Sequence, residues 1–266
     1  MNLRLLSALL FLSPINAPVE AQTLSGPEIM TELQHRHDAM SERTELMMQI
    51  YDSRNRVRER RLSIMARQGE DGVGKALLKF LSPADIRNVG LLTWDRGEEG
   101  EDDQWLYMPA SETVRRISGG NKKSEFMGTD LTYEDLRPEN LNRHTYQVIR
   151  EEERDGHPCW VVEALPGTEA ERGETSYGKR LFWIRKDVYF IIHVEFYNHS
   201  ERLIKTATFE DLEHIKDQMW RSNRSTFERV LARTRTVTIT QSRELDVDLP
   251  ESLFTQQGLR RPPGRR

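Results

Sequence analysis

Cysteine is almost missing from this 266-residue sequence, and Cys159 is its sole representative. An internal disulfide is therefore excluded, and stability has to come from a packed core rather than from bridges. Pro158, Trp160 and Val161 flank the thiol and fit a buried, inert side chain. A nucleophilic thiol would need a base and an electropositive, exposed setting, which its neighbours do not supply. Long apolar runs are missing beyond the first dozen residues. No later segment can then cross a bilayer as a helix, which takes roughly 20 apolar residues. A dominant charge is missing too: 39 Lys and Arg face 43 Asp and Glu, for a net charge of −4. Interspersed signs of this kind give a surface with no overall bias towards nucleic acid, and no nucleic-acid partner is expected.

The elements of a catalytic or metal site are equally scarce. His35 and His37 stand two apart on a predicted helix and so point to different faces, and His193 and His199 flank a strand end without partners. No metal and no cofactor are expected. There is no Gly-x-Ser-x-Gly elbow, and Ser118-Gly119-Gly120 reads more simply as a turn. The run from Gly69 to Gly74 carries acids where a phosphate would be repelled, within a predicted hairpin. The adjacent acids Glu98-Glu99, Asp102-Asp103 and Glu134-Asp135 read as solvated rather than as an acid–base pair. The chain is accordingly not expected to be an enzyme, and no catalytic residue is assigned.

What is there begins with the N-terminus. Arg4, the apolar stretch Leu5 to Leu12, Pro14 and then Val19-Glu20-Ala21 have the layout of a secretory signal, with the cut before Gln22. Residues 1–21 are expected to be removed, 22–258 to form a single domain, and the basic, Pro/Gly-rich stretch 259–266 to be a disordered tail able to touch an anionic membrane. Ser25, Pro27 and Glu28 open a predicted helix that runs to about Met40. From Leu46 onwards the period falls to two. Short strands alternate with turns as far as Thr240, about ten or eleven in all, the pattern of an antiparallel meander. Two stretches depart from it: residues 119–142, with a predicted short helix from Thr132 to Arg137, and the polar loop 166–178.

A sheet of this many strands must curl or split to bury its apolar face, and a curled one leaves room for an apolar ligand. The large, adaptable side chains that could line such a space are Met48, Met65, Trp94, Trp105, Tyr107, Met108, Phe126, Met127, Tyr133, Trp183 and Phe196. Arg115, Arg116, Lys122 and Lys123 could meet a lipid headgroup or a partner's acidic face, or form a solvated rim.

Several motifs carry a family likeness. The segments Ser82-Pro83-Ala84-Asp85-Ile86-Arg87-Asn88-Val89-Gly90, Asp102 to Ala110 and Phe126-Met127-Gly128-Thr129-Asp130-Leu131-Thr132-Tyr133-Glu134-Asp135-Leu136 resemble those of the outer-membrane lipoprotein-sorting-like proteins. Pro158-Cys159-Trp160 and Tyr177-Gly178-Lys179-Arg180 continue the resemblance, which spans nearly all of the chain after the signal. The resemblance implies an α+β, mainly β fold: an incomplete (unclosed) antiparallel β-barrel with helices covering the concave side and a hydrophobic cavity. It also implies a periplasmic carrier or chaperone that takes a lipid-like or acylated ligand and passes it towards the outer membrane, and the chain is expected to be a monomer. The alternative it leaves open is a non-carrying accessory subunit that docks on an inner-membrane exporter of the RND type.

Overall fold

The computed structural model describes residues 24–69, 71–97 and 102–262. The expected signal segment lies outside the described residues. Helix α1 (Gly26–His37) starts where the sequence dictates. Ser25 Oγ accepts from the Glu28 amide at 3.4 Å while the Ser25 amide donates to Glu28 Oε2 at 2.7 Å, so two otherwise unpaired end groups satisfy each other. The helix stops at His37 rather than near Met40. The imidazole is pinned there, with Nδ1 accepting from the Trp220 amide and Nε2 bonded to the Tyr189 carbonyl, each at 3.1 Å.

Thirteen strands follow among the described residues, against the ten or eleven expected. They are β1 (Ser41–Tyr51), β2 (Val57–Gln68), β3 (Gly74–Ser82), β4 (Gly90–Asp95), β5 (Asp103–Met108) and β6 (Thr113–Ile117). Then come β7 (His144–Arg154), β8 (His157–Pro166), β9 (Lys179–Arg185), β10 (Phe190–Tyr197), β11 (Leu203–Lys216), β12 (Met219–Arg229) and β13 (Thr234–Leu245). All belong to one antiparallel sheet in the order β6-β5-β4-β3-β2-β1-β13-β12-β11-β10-β9-β8-β7. Strands β1 and β13 meet in the middle, from Glu42 opposite Leu245 to Tyr51 opposite Arg235. The first six strands form one wing and the last seven the other. The two free edges, β6 and β7, are neighbours in sequence, so the barrel is unclosed and residues 118–143 cross from one edge to the other.

Period-two alternation gives each wing two apolar faces. On the inner face of the first wing Met48, Leu62, Phe80, Leu91 and Leu106 pack with Phe126 and Tyr133 of the crossing segment. On its outer face Leu77, Leu92, Trp105 and Tyr107 pack under Leu249, Phe254 and Leu259 of the C-terminal segment. That segment ends in helix α3 (Gln256–Arg260). Trp94 Nε1 donates to the Phe254 carbonyl at 2.8 Å, and the buried Lys79 ammonium donates to the Leu259 carbonyl and to Asn88 Oδ1. Ordered chain thus continues through Leu259, which is fully buried, into the stretch that the sequence reads as a tail. In the second wing Ile29 and Met30 of α1 pack on Tyr146, Val162, Phe182, Val194 and Phe196 of the inner face. Gly26 is required at this contact, because a Cβ there would lie 2.6 Å from the Tyr146 backbone.

Candidate functional site

The crossing segment decides where space remains. It turns tightly at Met127 and Gly128, both with positive φ, and a bridge joins Glu125 to Thr132. Arg60 Nη1 donates to the Met127 carbonyl at 2.7 Å, and Asp130 accepts from the hydroxyls of Thr234 and Thr236 on β13. Phe126, fully buried, stacks on Phe80 with ring centroids 5.7 Å apart and meets the edge of Tyr133 at 5.5 Å. The inner face of the first wing is thereby plugged. The predicted helix over Thr132–Arg137 is a single 3-10 turn, Glu134–Leu136.

Beyond this turn, on the second wing, lies a cavity of about 310 Å³, within the range of small-ligand sites, roughly 300–1,000 Å³. Its floor is Phe182, Val194, Phe196, Phe209 and Phe227 on β9 to β12, and Met30 and Leu33 of α1 stand over it. Its rim is charged: Lys122, Glu134, Arg137, Glu139, Arg143 and Arg180. Helix α2 (Glu169–Glu174), in the loop read as purely polar, adds Glu171 and Glu174.

The rim charges are fixed by partners. Arg180 grips Glu139 through two bonds of 2.6 and 2.7 Å, and the Tyr146 hydroxyl donates to the same carboxylate at 2.5 Å. Burial works to raise Glu139, yet the Arg180 guanidinium outweighs it and holds the carboxyl below its ordinary value. Burial and the Glu139 charge drive the Tyr146 phenol far up, so it stays a donor. Deeper in, Lys205 and Asp135 pair at 2.5 Å with each side chain 4% exposed, and the Tyr177 hydroxyl donates to Asp135 at 2.8 Å. Burial lowers Lys205 in spite of that partner. Glu134 accepts from Thr175 and from the Ser176 amide, but burial dominates and raises its carboxyl. An apolar floor beneath oriented charges suits an amphipathic molecule, with tail below and polar head at the rim.

A second space, about 290 Å³, lies on the inner face where β1, β2, β12 and β13 meet. Its walls are polar, with Thr44, Asn223, Thr238 and Thr240, and Glu42 bridges Arg221 at 2.9 Å and Arg243 at 3.1 Å.

The side chains singled out from the sequence divide by face. Phe196 and Lys122 line the cavity. Met48, Met108, Phe126, Met127 and Tyr133 are inner-face residues of the plugged wing. Met65, Trp94, Trp105 and Tyr107 lie on the opposite face under the C-terminal segment, and Trp183 on the outer face of the second wing, which corrects their assignment to the cavity. The reason is the strand period. Trp105 and Tyr107 cannot share a face with Leu106 and Met108, and size alone does not say which pair points inward. Arg115 is exposed, and Arg116 bonds Asp103 on the outer side. Lys122 pairs with Glu174 at 3.3 Å and Lys123 donates to the Gly173 carbonyl at 2.6 Å, so both tie the crossing segment to α2.

The acid pairs also need correcting. Asp102, Asp103 and Asp135 are buried because each meets a cation: Arg137, the pair Arg96 and Arg116, and Lys205. Glu98 and Glu99 lie outside the described residues. Phe182, Phe209, Phe227, Met30 and Leu33 line the cavity although the sequence does not single them out, since Phe209 and Phe227 each stand alone in a polar strand. Cys159 is fully buried and burial raises its thiol. Among the described residues no group of three or more His, Cys, Asp or Glu is placed to hold a metal ion, and no helix is long and apolar enough to cross a membrane.

Comparison with known proteins adds relatives of this architecture. A family model described as an uncharacterized protein matches residues 72–261. The chain is similar to a DUF1329 family protein from Desulfovibrio piger, with 30% identity, a TM-score of 0.81, and coverage of 88% of this chain and 97% of that one. It is similar to a Vibrio parahaemolyticus domain described as an outer membrane lipoprotein-sorting protein, with 27% identity, a TM-score of 0.82, and coverage of 89% and 98%. A LolA superfamily protein from Nitrosomonas europaea shares the fold at 20% identity, with a TM-score of 0.69 and coverage of 89% and 100%. No curated protein matches.

Proposed function

Since the chain belongs to the DUF1329 family, we propose that it is a periplasmic carrier that holds a lipid-like or acylated ligand in the cavity of the second wing and passes it towards the outer membrane. The observation that carries this reading is the pairing of an aromatic floor, Phe182, Phe196, Phe209 and Phe227, with a rim of oriented charges in one space. The lipoprotein-sorting description of the Vibrio parahaemolyticus relative supports it. Residues 1–21 act as the export signal, and the exported chain works as a monomer that binds without converting its ligand. Ordered charges at the rim need little rearrangement to meet a polar head, which keeps the entropic cost of capture low.

The test is displacement of a fluorescent fatty-acid probe from detergent-free protein, with native mass spectrometry of the protein as purified. Wild type is expected to bind the probe at micromolar protein, and Phe209→Asp to weaken it roughly tenfold or more, because a carboxylate on the floor is desolvated by an acyl chain. Finding neither bound probe nor co-purifying acyl lipid would sink the reading.

A further inference from the structure

One end of the sheet carries a surface that the cavity does not explain. The turns between β1 and β2 and between β12 and β13 lie side by side there, since Tyr51 is opposite Arg235 and Arg235 Nη1 donates to Asn55 Oδ1 at 2.9 Å. Of the large hydrophobic residues that stay exposed, Val57 (47%), Val230 (39%) and Leu231 (56%) gather at these two turns. Around them stand Arg54, Arg56, Arg58, Arg229, Arg233 and Arg235. Arg56 is paired with Asp52 and Arg229 with Glu125. Arg54, Arg58 and Arg233 are exposed and have no acidic partner among the described residues, and Arg235 rests on the Tyr51 ring at 4.0 Å. The chain as a whole is negative, at −4. Apolar side chains at a hairpin tip, ringed by arginines of which three are exposed without an acidic partner among the described residues, on an otherwise acidic protein, have the composition of an interfacial anchor: the apolar groups enter the headgroup boundary while the cations meet lipid phosphates.

The location fits this use. Phe227, on the floor of the cavity, sits near the end of β12, three residues before Val230 in the turn that follows, roughly 10 Å at the rise of an extended chain. The cavity and the tips therefore share one end of the barrel.

We propose that the paired turns 52–58 and 229–235 dock this protein on an anionic lipid bilayer, with Val57, Val230 and Leu231 entering the interface. The surface is complementary to the bilayer in both charge and polarity, and its action does not depend on what the cavity holds.

Co-sedimentation tests it, with vesicles of phosphatidylcholine alone and of equal parts phosphatidylcholine and phosphatidylglycerol. Wild type is expected to bind the anionic vesicles roughly tenfold more tightly or better, and to be released as salt screens the arginines. The double variant Arg58→Glu/Arg233→Glu is expected to lose that preference, and Leu231→Asp to weaken binding several-fold, with melting temperatures unchanged because the residues are exposed. Equal binding to both vesicles overturns the proposal. So does full binding by the double variant, which the basic C-terminal stretch would produce, or by Leu231→Asp. Retention by immobilised polyglutamate with no vesicle binding would reassign the surface to an acidic protein and overturn it as well. Fatty-acid displacement run on the same variants should be unchanged, which separates failure of docking from failure of carriage.

Discussion

The two wings of the sheet are built alike and filled differently. In the first, the inner face receives Phe126 and Tyr133 from the crossing segment and the outer face receives Phe254 and Leu259 from the C-terminal segment, so both are closed by apolar packing. In the second, α1 and the charged 134–139 stretch cover the inner face but do not fill it. The outer cluster around Trp183 is bordered by Arg150 and Arg154, whose guanidinium carbons lie 5.5 and 5.1 Å from the ring centroid. The comparison separates two tasks that a single sheet performs. One wing is a core in the ordinary sense, and the other gives up packing for space and holds its shape with buried ion pairs.

The difference can be broken first at Phe126. Phe126→Ala empties the centre of the plugged wing and is expected to cost about 3–5 kcal/mol in urea unfolding. Phe209→Ala, at a position that already faces the cavity, should cost less than about 2 kcal/mol. Equal losses would mean that the wings are equally packed. The second effect concerns charge. Glu139 titrates below its ordinary value in the folded chain. Its contribution is therefore fully present above the unfolded carboxylate range and lost as pH falls through the folded pKa. Glu139→Gln should flatten the acid limb of the stability–pH curve. An unchanged limb would remove Glu139 from the account. The smallest effect lies outside. Arg154→Ala should cost only about 0.5–1 kcal/mol, the size of a half-buried surface cation–π contact, and a loss several times larger would show that this border acts as a true layer.

Much of this organisation was legible in the sequence, and the misreadings have physical causes. Strand positions follow from alternation, as at Leu46, Met48 and Ile50 of β1, which share the inner face, and α1 from the Ser25–Glu28 box. Local pattern cannot say which of two apolar faces is inner when both are covered, as for Trp105 and Tyr107 against Leu106 and Met108. Nor does it reveal that Asp135 finds Lys205, 70 residues away, so an acid that reads as solvated turns out to be buried. The floor residues Phe209 and Phe227 stand among polar neighbours in strands that look half-exposed. Their role emerges only once β11 and β12 are seen side by side.

The pairing of β1 with β13 has a consequence for how the molecule comes into being. Residue 51 must find residue 235, and until it does β1 has a partner on one side alone. Contacts of such long sequence separation form late, because loop closure has to precede them. Strands β1 to β6 can zip together locally as they emerge, and so can β7 to β13, but the two halves are joined only after the final strand is available. Completion therefore waits for nearly the whole polypeptide, so the seam between the wings is the last part of the sheet to close.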